Sequence, residues 1–232
     1  MADRGDHAAS PQAGRTQHRT PDPAAPAAPG DRDRSPSVST CELEVGQFSD
    51  TGRKRQNNED WLGTFRPEDA GRLEDKGSLF LLADGMGGHK SGELASRQAV
   101  DRVIRAYMED GQRDVASSLR RAVQAANTAL YDSSGRQSPG QYSGTTLVAG
   151  VIRQGELWVA NVGDSRAYLL HRGALQQISE DHSWAAAGAR AGLGEELPGR
   201  HVLTRALGAK AHVEVDVFGP LSLEAGDRLI LC

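Results

Sequence analysis

The chain has few cysteines, no basic block and no long apolar run, and each shortage closes off a class of protein. Its two cysteines, Cys41 and Cys232, stand at opposite ends of the patterned region with neither metal-type nor redox-type spacing. That excludes a disulfide framework and suits a reducing compartment. No apolar run approaches the roughly 18 residues of a membrane span, and no signal-peptide core follows Met1. A cytoplasmic protein without a membrane span is therefore expected. The formal net charge of −4 and the lack of an extended Lys/Arg block argue against nucleic acid or an anionic membrane surface as the main partner. An acidic balance is compatible with a site for cations. Residues 1–40 lack Leu, Ile, Phe, Tyr and Trp altogether and are rich in Ala, Pro, Asp and Arg. Such a segment cannot bury enough apolar surface to offset its ordering entropy, so 1–40 is expected to be a disordered tail. Residues 41–232 are expected to be one domain.

What is present centres on Leu79-Phe80-Leu81-Leu82-Ala83-Asp84-Gly85-Met86-Gly87-Gly88-His89. An apolar run ends on an acid and then becomes almost free of side chains. The pattern predicts a strand covered on both faces that delivers a carboxylate to a place where backbone approaches a ligand. Taken alone, an ordinary Asp-Gly turn reads the same way. Ahead of it, Leu43, Val45 and Phe48 alternate as a first strand, and a dense polar loop runs from Ser49 to Asp60. Trp61–Phe65 resumes extended structure, and 64–77 reads as a surface hairpin loop.

After His89 the period becomes helical. Leu94, Ala95, Ala99, Val100, Val103, Ile104, Tyr107 and Met108 share one face, and a second helix follows from Asp114 as N-cap to Leu130. Strands are predicted at 145–152, 157–162, 166–170 and 175–178, joined by turns short enough to imply an antiparallel meander. An irregular stretch from Asp181 to about Arg200 reads as a flap. Val213, Val215 and Val217 alternate again, and 227–232 begins another apolar strand.

Six segments in order carry a resemblance: Arg55-Gln56-Asn57-Asn58-Glu59-Asp60, Ala83-Asp84-Gly85-Met86-Gly87-Gly88, Ser143-Gly144-Thr145-Thr146, Asn161-Val162-Gly163-Asp164-Ser165-Arg166, Asp181-His182-Ser183 and Leu203-Thr204-Arg205-Ala206-Leu207-Gly208. Over residues 45–232 the chain resembles the metal-dependent protein phosphatases of the 2C type, in a bacterial form. The resemblance implies an α+β fold, a four-layer α-β-β-α sandwich of two antiparallel sheets flanked by helices. It implies hydrolysis of phosphoserine and phosphothreonine by a hydroxide bridging two Mn²⁺ or Mg²⁺ ions about 3.5–4 Å apart. Hard cations of this kind take oxygen ligands and retain waters, so few carboxylates suffice. By the same resemblance Asp60 and Asp84 are metal ligands, the Gly85 carbonyl is a third oxygen, and Glu59 meets metal through water. Arg55 matches the phosphate-binding arginine, whose planar fork suits two phosphoryl oxygens. Phosphorylated proteins are the implied partners, with an opposing serine/threonine kinase, and a monomer is expected.

Several positions depart from the family pattern. Met86 stands where animal relatives carry a general-acid histidine, which leaves His89 as a nearby candidate and His182 as an organiser of the flap. Asp164 is read as ordering the turn into Arg166 instead of binding metal. The stretch Ser138–Ser143 carries no acid for a third metal. The family continues past the strand at 229–231 with an Asp-Gly segment whose Asp ligates metal, whereas this sequence stops at Cys232. A domain lacking its final strands and helix is therefore expected, incomplete at its C-terminal end and impaired in activity. The alternative is a non-catalytic module that grips phosphopeptides or a kinase.

Overall fold

The structure, a computed structural model, describes residues 42–53, 57–87, 90–134, 143–192 and 202–232. In chain order the elements are β1 (Asp60–Phe65), α1 (Ala70–Lys76), β2 (Ser78–Met86), α2 (Lys90–Glu109), α3 (Val115–Ser134), β3 (Gly144–Thr145), β4 (Leu147–Arg153), β5 (Glu156–Val162), β6 (Ala167–His171), β7 (Ala174–Gln177), α4 (Trp184–Arg190), β8 (Asp216–Ser222) and β9 (Arg228–Leu231). The larger sheet runs β1-β2-β4-β5-β8, with β3 pairing β2 beyond the end of β4, and the smaller sheet runs β7-β6-β9. Every pairing is antiparallel. This is the α+β class with two antiparallel sheets that the resemblance implies.

The uninterrupted apolar run in β2 has a physical reason. Leu79, Leu81 and Ala83 are buried in the layer shared with α2 and α3. Leu82 packs on the opposite side, in the layer formed by Val148, Leu157, Val159, Ala167 and Leu169 between the two sheets. Both faces of the strand are covered, so both alternating sets must be apolar. The predicted helical faces hold except at Leu94, which is 53% exposed: Ala95, Ala99, Val100, Val103 and Tyr107 of α2 meet Val115, Leu119, Val123, Ala126 and Leu130 of α3 in the first layer. Each large aliphatic side chain buried there contributes about 1.5–3 kcal/mol. Gly63 of β1 lets α2 lie close, since a Cβ there would stand 2.4 Å from Val100 Cγ1. On the outer face of the smaller sheet, Leu175 and Ile230 remain 60% and 44% exposed.

Four sequence expectations are corrected. Residues 43–48 form no strand, and Phe48 is 85% exposed. Their alternation marks a preference for extended backbone, yet among the described residues no strand lies beside them to complete a ladder. The supposed hairpin loop at 64–77 contains α1, whose start is fixed by Asp69: its carboxylate accepts the Arg72 amide at 2.8 Å. The flap likewise contains a helix, α4, capped by Ser183. The strand predicted at 213–217 begins later, at Asp216, and runs on through Pro220, an edge position where the missing N–H costs nothing.

α1 joins the helical layer through Lys76, which is buried and donates to the carbonyls of Asp110 and Gln112 just beyond the end of α2. Burial pushes its ammonium below the usual lysine value, against the pull of Asp110 and Asp75. Tyr107 lies under it and donates its hydroxyl to the Lys76 carbonyl at 3.0 Å. Replacing Tyr107 by Phe leaves that buried carbonyl unpaired and keeps the ring. We expect Tyr107→Phe to lower unfolding stability by about 1–2 kcal/mol, read as a shift in the urea midpoint at unchanged slope.

Candidate metal centre

The loop before β1 and the end of β2 bring two acids together. Asp60, the first residue of β1, stands directly opposite Asp84 of β2 in the ladder. Opposed residues in an antiparallel pair share a face with Cβ atoms about 4.5–5.5 Å apart, and like charges there repel. Asn58 fixes the approach to β1 by accepting the Asp60 amide at 3.1 Å, and its own amide donates to Ser49 Oγ at 2.7 Å.

Beyond Asp84 the strand runs against the start of α2 with almost no clearance. A Cβ on Gly85 would stand 2.2 Å from the Gly92 carbonyl oxygen and 2.8 Å from the Glu59 carbonyl oxygen. A Cβ on Gly92 would stand 2.2 Å from Glu59 Oε2. The Glu59 carboxylate therefore lies over the first turn of α2, where the unpaired amides of a helix start favour negative charge. Its carbonyl accepts from the Gly85 amide at 3.1 Å and from the buried Ser96 hydroxyl at 2.6 Å. One α2 serine thus ties the loop bearing Asp60 to the strand end bearing Asp84.

Asp84 is held from β4's side by the Ser-Gly-Thr-Thr segment. Its amide donates to Thr146 Oγ1 at 2.9 Å, and its carbonyl accepts from the Thr146 amide and the Thr145 hydroxyl, each at 2.9 Å. Thr145 and Thr146 thus support the Asp84 backbone at the junction of β3 and β4.

The turn from β5 to β6 is ordered differently from the sequence expectation. Asp164 is exposed and makes no hydrogen bond or ion pair among the described residues. The ordering comes from Asn161, whose amide donates to the carbonyls of Gly163 and Glu180, and from His182, whose Nδ1 accepts the Gly163 amide at 3.1 Å. Because Nδ1 accepts, the ring proton resides on Nε2, which donates to Asp216 Oδ2 at 3.0 Å. Arg205 closes this group on Asp216 Oδ1 at 2.7 Å. The His182 carbonyl accepts the Thr204 amide at 2.8 Å, and Ser183 bridges to Leu203. His182 does organise the base of the flap.

Arg55 and His89 lie outside the described residues, as do Cys41 and residues 138–142. Met86 ends β2 opposite Gly144 and carries no titratable proton. Among the described residues no three of His, Cys, Asp and Glu gather closely enough to cage a metal. Asp60, Asp84 and the Gly85 carbonyl offer hard oxygen donors on one strand end. Their opposed charges fit a divalent cation that retains much of its water, as Mg²⁺ and Mn²⁺ do. Sequence reasoning missed Ser96, Gly92, Ser165, Arg205 and Asp216. Ser165 and Arg205 stood within the fourth and sixth motif segments without a role being read for them, and no residue type announced the partners of any of the five.

Two antiparallel sheets with a pair of acids on one strand end are compatible with the metal-dependent hydrolase class that the resemblance implies. The family model for protein phosphatase 2C matches residues 53–218. The serine/threonine phosphatase stp of Listeria monocytogenes is 37% identical over 195 residues, spanning 79% of this chain and 74% of that protein. Among solved structures, the Mycobacterium tuberculosis serine/threonine phosphatase PstP/Ppp superposes with a TM-score of 0.63 at 33% identity, covering 79% of this chain and 75% of that one. The catalytic domain of PstP in complex with two manganese ions gives a TM-score of 0.62 at 32% identity over 79% and 74% of the two chains. The chain belongs to the protein phosphatase 2C family of serine/threonine phosphatases.

Burial works against the charge on Asp216, yet hydrogen bonds from His182 and Arg205 outweigh it and hold the carboxyl below its usual value. A depressed folded-state value contributes stability above the unfolded value, about pH 4, that is lost as pH falls through the folded one. We expect thermal stability to drop below about pH 4, and the drop to be shallower in Asp216→Asn, measured as unfolding midpoints across a pH series.

Proposed function

We propose that the chain hydrolyses phosphoserine and phosphothreonine in protein substrates with two Mn²⁺ or Mg²⁺ ions, held by Asp60, Asp84 and the Gly85 carbonyl. Glu59 reaches the metal through water, and Arg55 grips the phosphate. The observation that carries this reading is the Asp60–Asp84 pair, opposed across one rung at the end of a doubly covered sheet. Further support comes from the two manganese ions of the PstP complex. When bound, such ions neutralise phosphoryl oxygens and make a water acidic enough to attack near neutral pH.

The chain's own residues do the rest. The β1–β2 ladder puts both acids on one face, and the lack of a side chain on Gly85 lets the strand end lie against the start of α2. The α2 start steadies Glu59. Arg55 supplies a planar fork for two phosphoryl oxygens. Met86 offers no proton to the departing alkoxide, so that proton comes from solvent or from another side chain. Residues 41–232 act as the catalytic domain and 1–40 as an appended tail. The protein works as a cytoplasmic monomer on phosphoproteins, in opposition to a serine/threonine kinase.

Only two acids converge among the described residues, which supports slow turnover by the 232-residue chain assayed alone. The same observation favours the competing reading, a phosphopeptide- or kinase-binding module. Manganese titration by calorimetry separates them: two-site binding in the micromolar-to-millimolar range is expected of the enzyme and none of the module. We expect slow, manganese-dependent hydrolysis of p-nitrophenyl phosphate and of a phosphothreonine peptide, reduced at least about 100-fold in Asp60→Asn and Asp84→Asn. Robust turnover by the purified chain would overturn the proposal of impairment. Activity indifferent to both substitutions would overturn the site.

A further inference from the structure

Two buried hydroxyls account for motif segments that the proposed metal ligands leave unused. The β2–β4 ladder runs from Ser78↔Ile152 to Leu82↔Val148, and the β2–β3 ladder resumes at Gly85↔Thr145. Continued regularly, the first ladder would set Asp84 opposite Thr146. One half of that rung exists, since the Thr146 amide donates to the Asp84 carbonyl at 2.9 Å. In the other half a side chain replaces backbone: the Asp84 amide donates to Thr146 Oγ1 at 2.9 Å. The Thr146 carbonyl instead lies 2.9 Å from the Thr145 hydroxyl, whose single proton it shares with the Asp84 carbonyl. The break between β3 and β4 thus falls beside the residue read as the central metal ligand, and a hydroxyl bridges it.

That hydroxyl is itself held. Thr146 Oγ1 and Ser165 Oγ are 2.6 Å apart, and both residues are buried. Ser165 belongs to the β5–β6 turn, which Asn161 and His182 anchor independently of Asp84. The turn can lie this close only because Gly163 has no side chain: a Cβ there would stand 2.7 Å from both Thr146 Cβ and Cγ2, at a φ of +108° that glycine alone adopts readily. We propose that Thr146 and Ser165 are positioning residues, a hydroxyl pair that braces the Asp84 backbone in the geometry its carboxylate needs to take a divalent cation. This rests on the reading of Asp84 as a metal ligand. Partners one step removed from a metal commonly set its affinity by about 10–100-fold.

Thr146→Val preserves the branched shape against Gly163 and removes the acceptor, so the Asp84 amide must seek the Thr146 carbonyl and the strand end shifts. Thr146→Ser keeps the hydroxyl. Manganese affinity of the full 232-residue chain is measured by calorimetry and by quenching of Trp61, next to Asp60, with unfolding midpoints in EDTA as the control for folding. Expected are about tenfold weaker binding in Thr146→Val, a smaller loss in Ser165→Ala, a double variant no weaker than Thr146→Val, and Thr146→Ser within about twofold of the parent.

Affinity unchanged in Thr146→Val while Asp84→Asn loses binding would overturn the positioning role and leave the metal site standing. Binding indifferent to Asp84→Asn would sink both. A lowered EDTA midpoint with unchanged affinity marks a merely structural contact and also overturns the proposal, as does a Thr146→Ser variant as weak as Thr146→Val. If Thr146→Val fails to fold, Ser165→Ala decides: parental affinity there refutes the pair.

Discussion

Two like charges facing each other across one rung of an antiparallel ladder are the constraint on which the rest of this structure depends. Asp60 and Asp84 oppose each other because β1 and β2 hold one register, and that register is held by burial. A slip of one residue would turn Leu79, Leu81 and Ala83 toward the inter-sheet layer and Leu82 toward the helices, exchanging two fitted sets of side chains. The apolar layers therefore keep in place a repulsion that the strand ends alone would relieve by moving apart. At the proposed metal site, a divalent cation would convert that repulsion into coordination.

Around the acid pair, close approach is obtained by omission and orientation by hydroxyls. Gly85 and Gly92 let a strand end and a helix start touch through backbone, and Gly163 does the same for the β5–β6 turn against Thr146. Ser96, Thr145 and Thr146 then direct hydrogen bonds at the peptide groups flanking the acids. None of these residues is chemically reactive in its setting. Each removes a way for Glu59, Asp60 or Asp84 to move.

The main frame was legible because it is periodic. The β2 run, the faces of α2 and α3, and the β4–β5 hairpin all follow from apolar spacing and turn residues. Asp84 was legible because an apolar run ends on it and glycines follow, whereas Asp60 was picked out only by the family resemblance. The extended segment at 43–48 misled because alternation reports a preference and not a partner. α1 and α4 were hidden by brevity, their only signals being the caps Asp69 and Ser183. The supports of the site were not legible, because each joins a side chain to a partner distant in sequence, backbone for Ser96 to Glu59 across 37 positions and Thr146 to Asp84 across 62, and another side chain for His182 to Asp216 across 34. Spacing along a chain carries no trace of such a match.

The glycine contact between β2 and α2 also bears on how the site is divided along the chain. Asp60, Asp84, Gly85, Gly92 and Ser96 all belong to β1, β2 and the opening turns of α2, which are near neighbours along the chain. Closing loops this short costs little entropy, whereas the β2–β4 and β5–β8 ladders join residues far apart in sequence. The acid pair thus sits in the part of the fold that is local in sequence, while Thr146, which holds the Asp84 backbone, comes from β4's side and is joined to it only through a long closure.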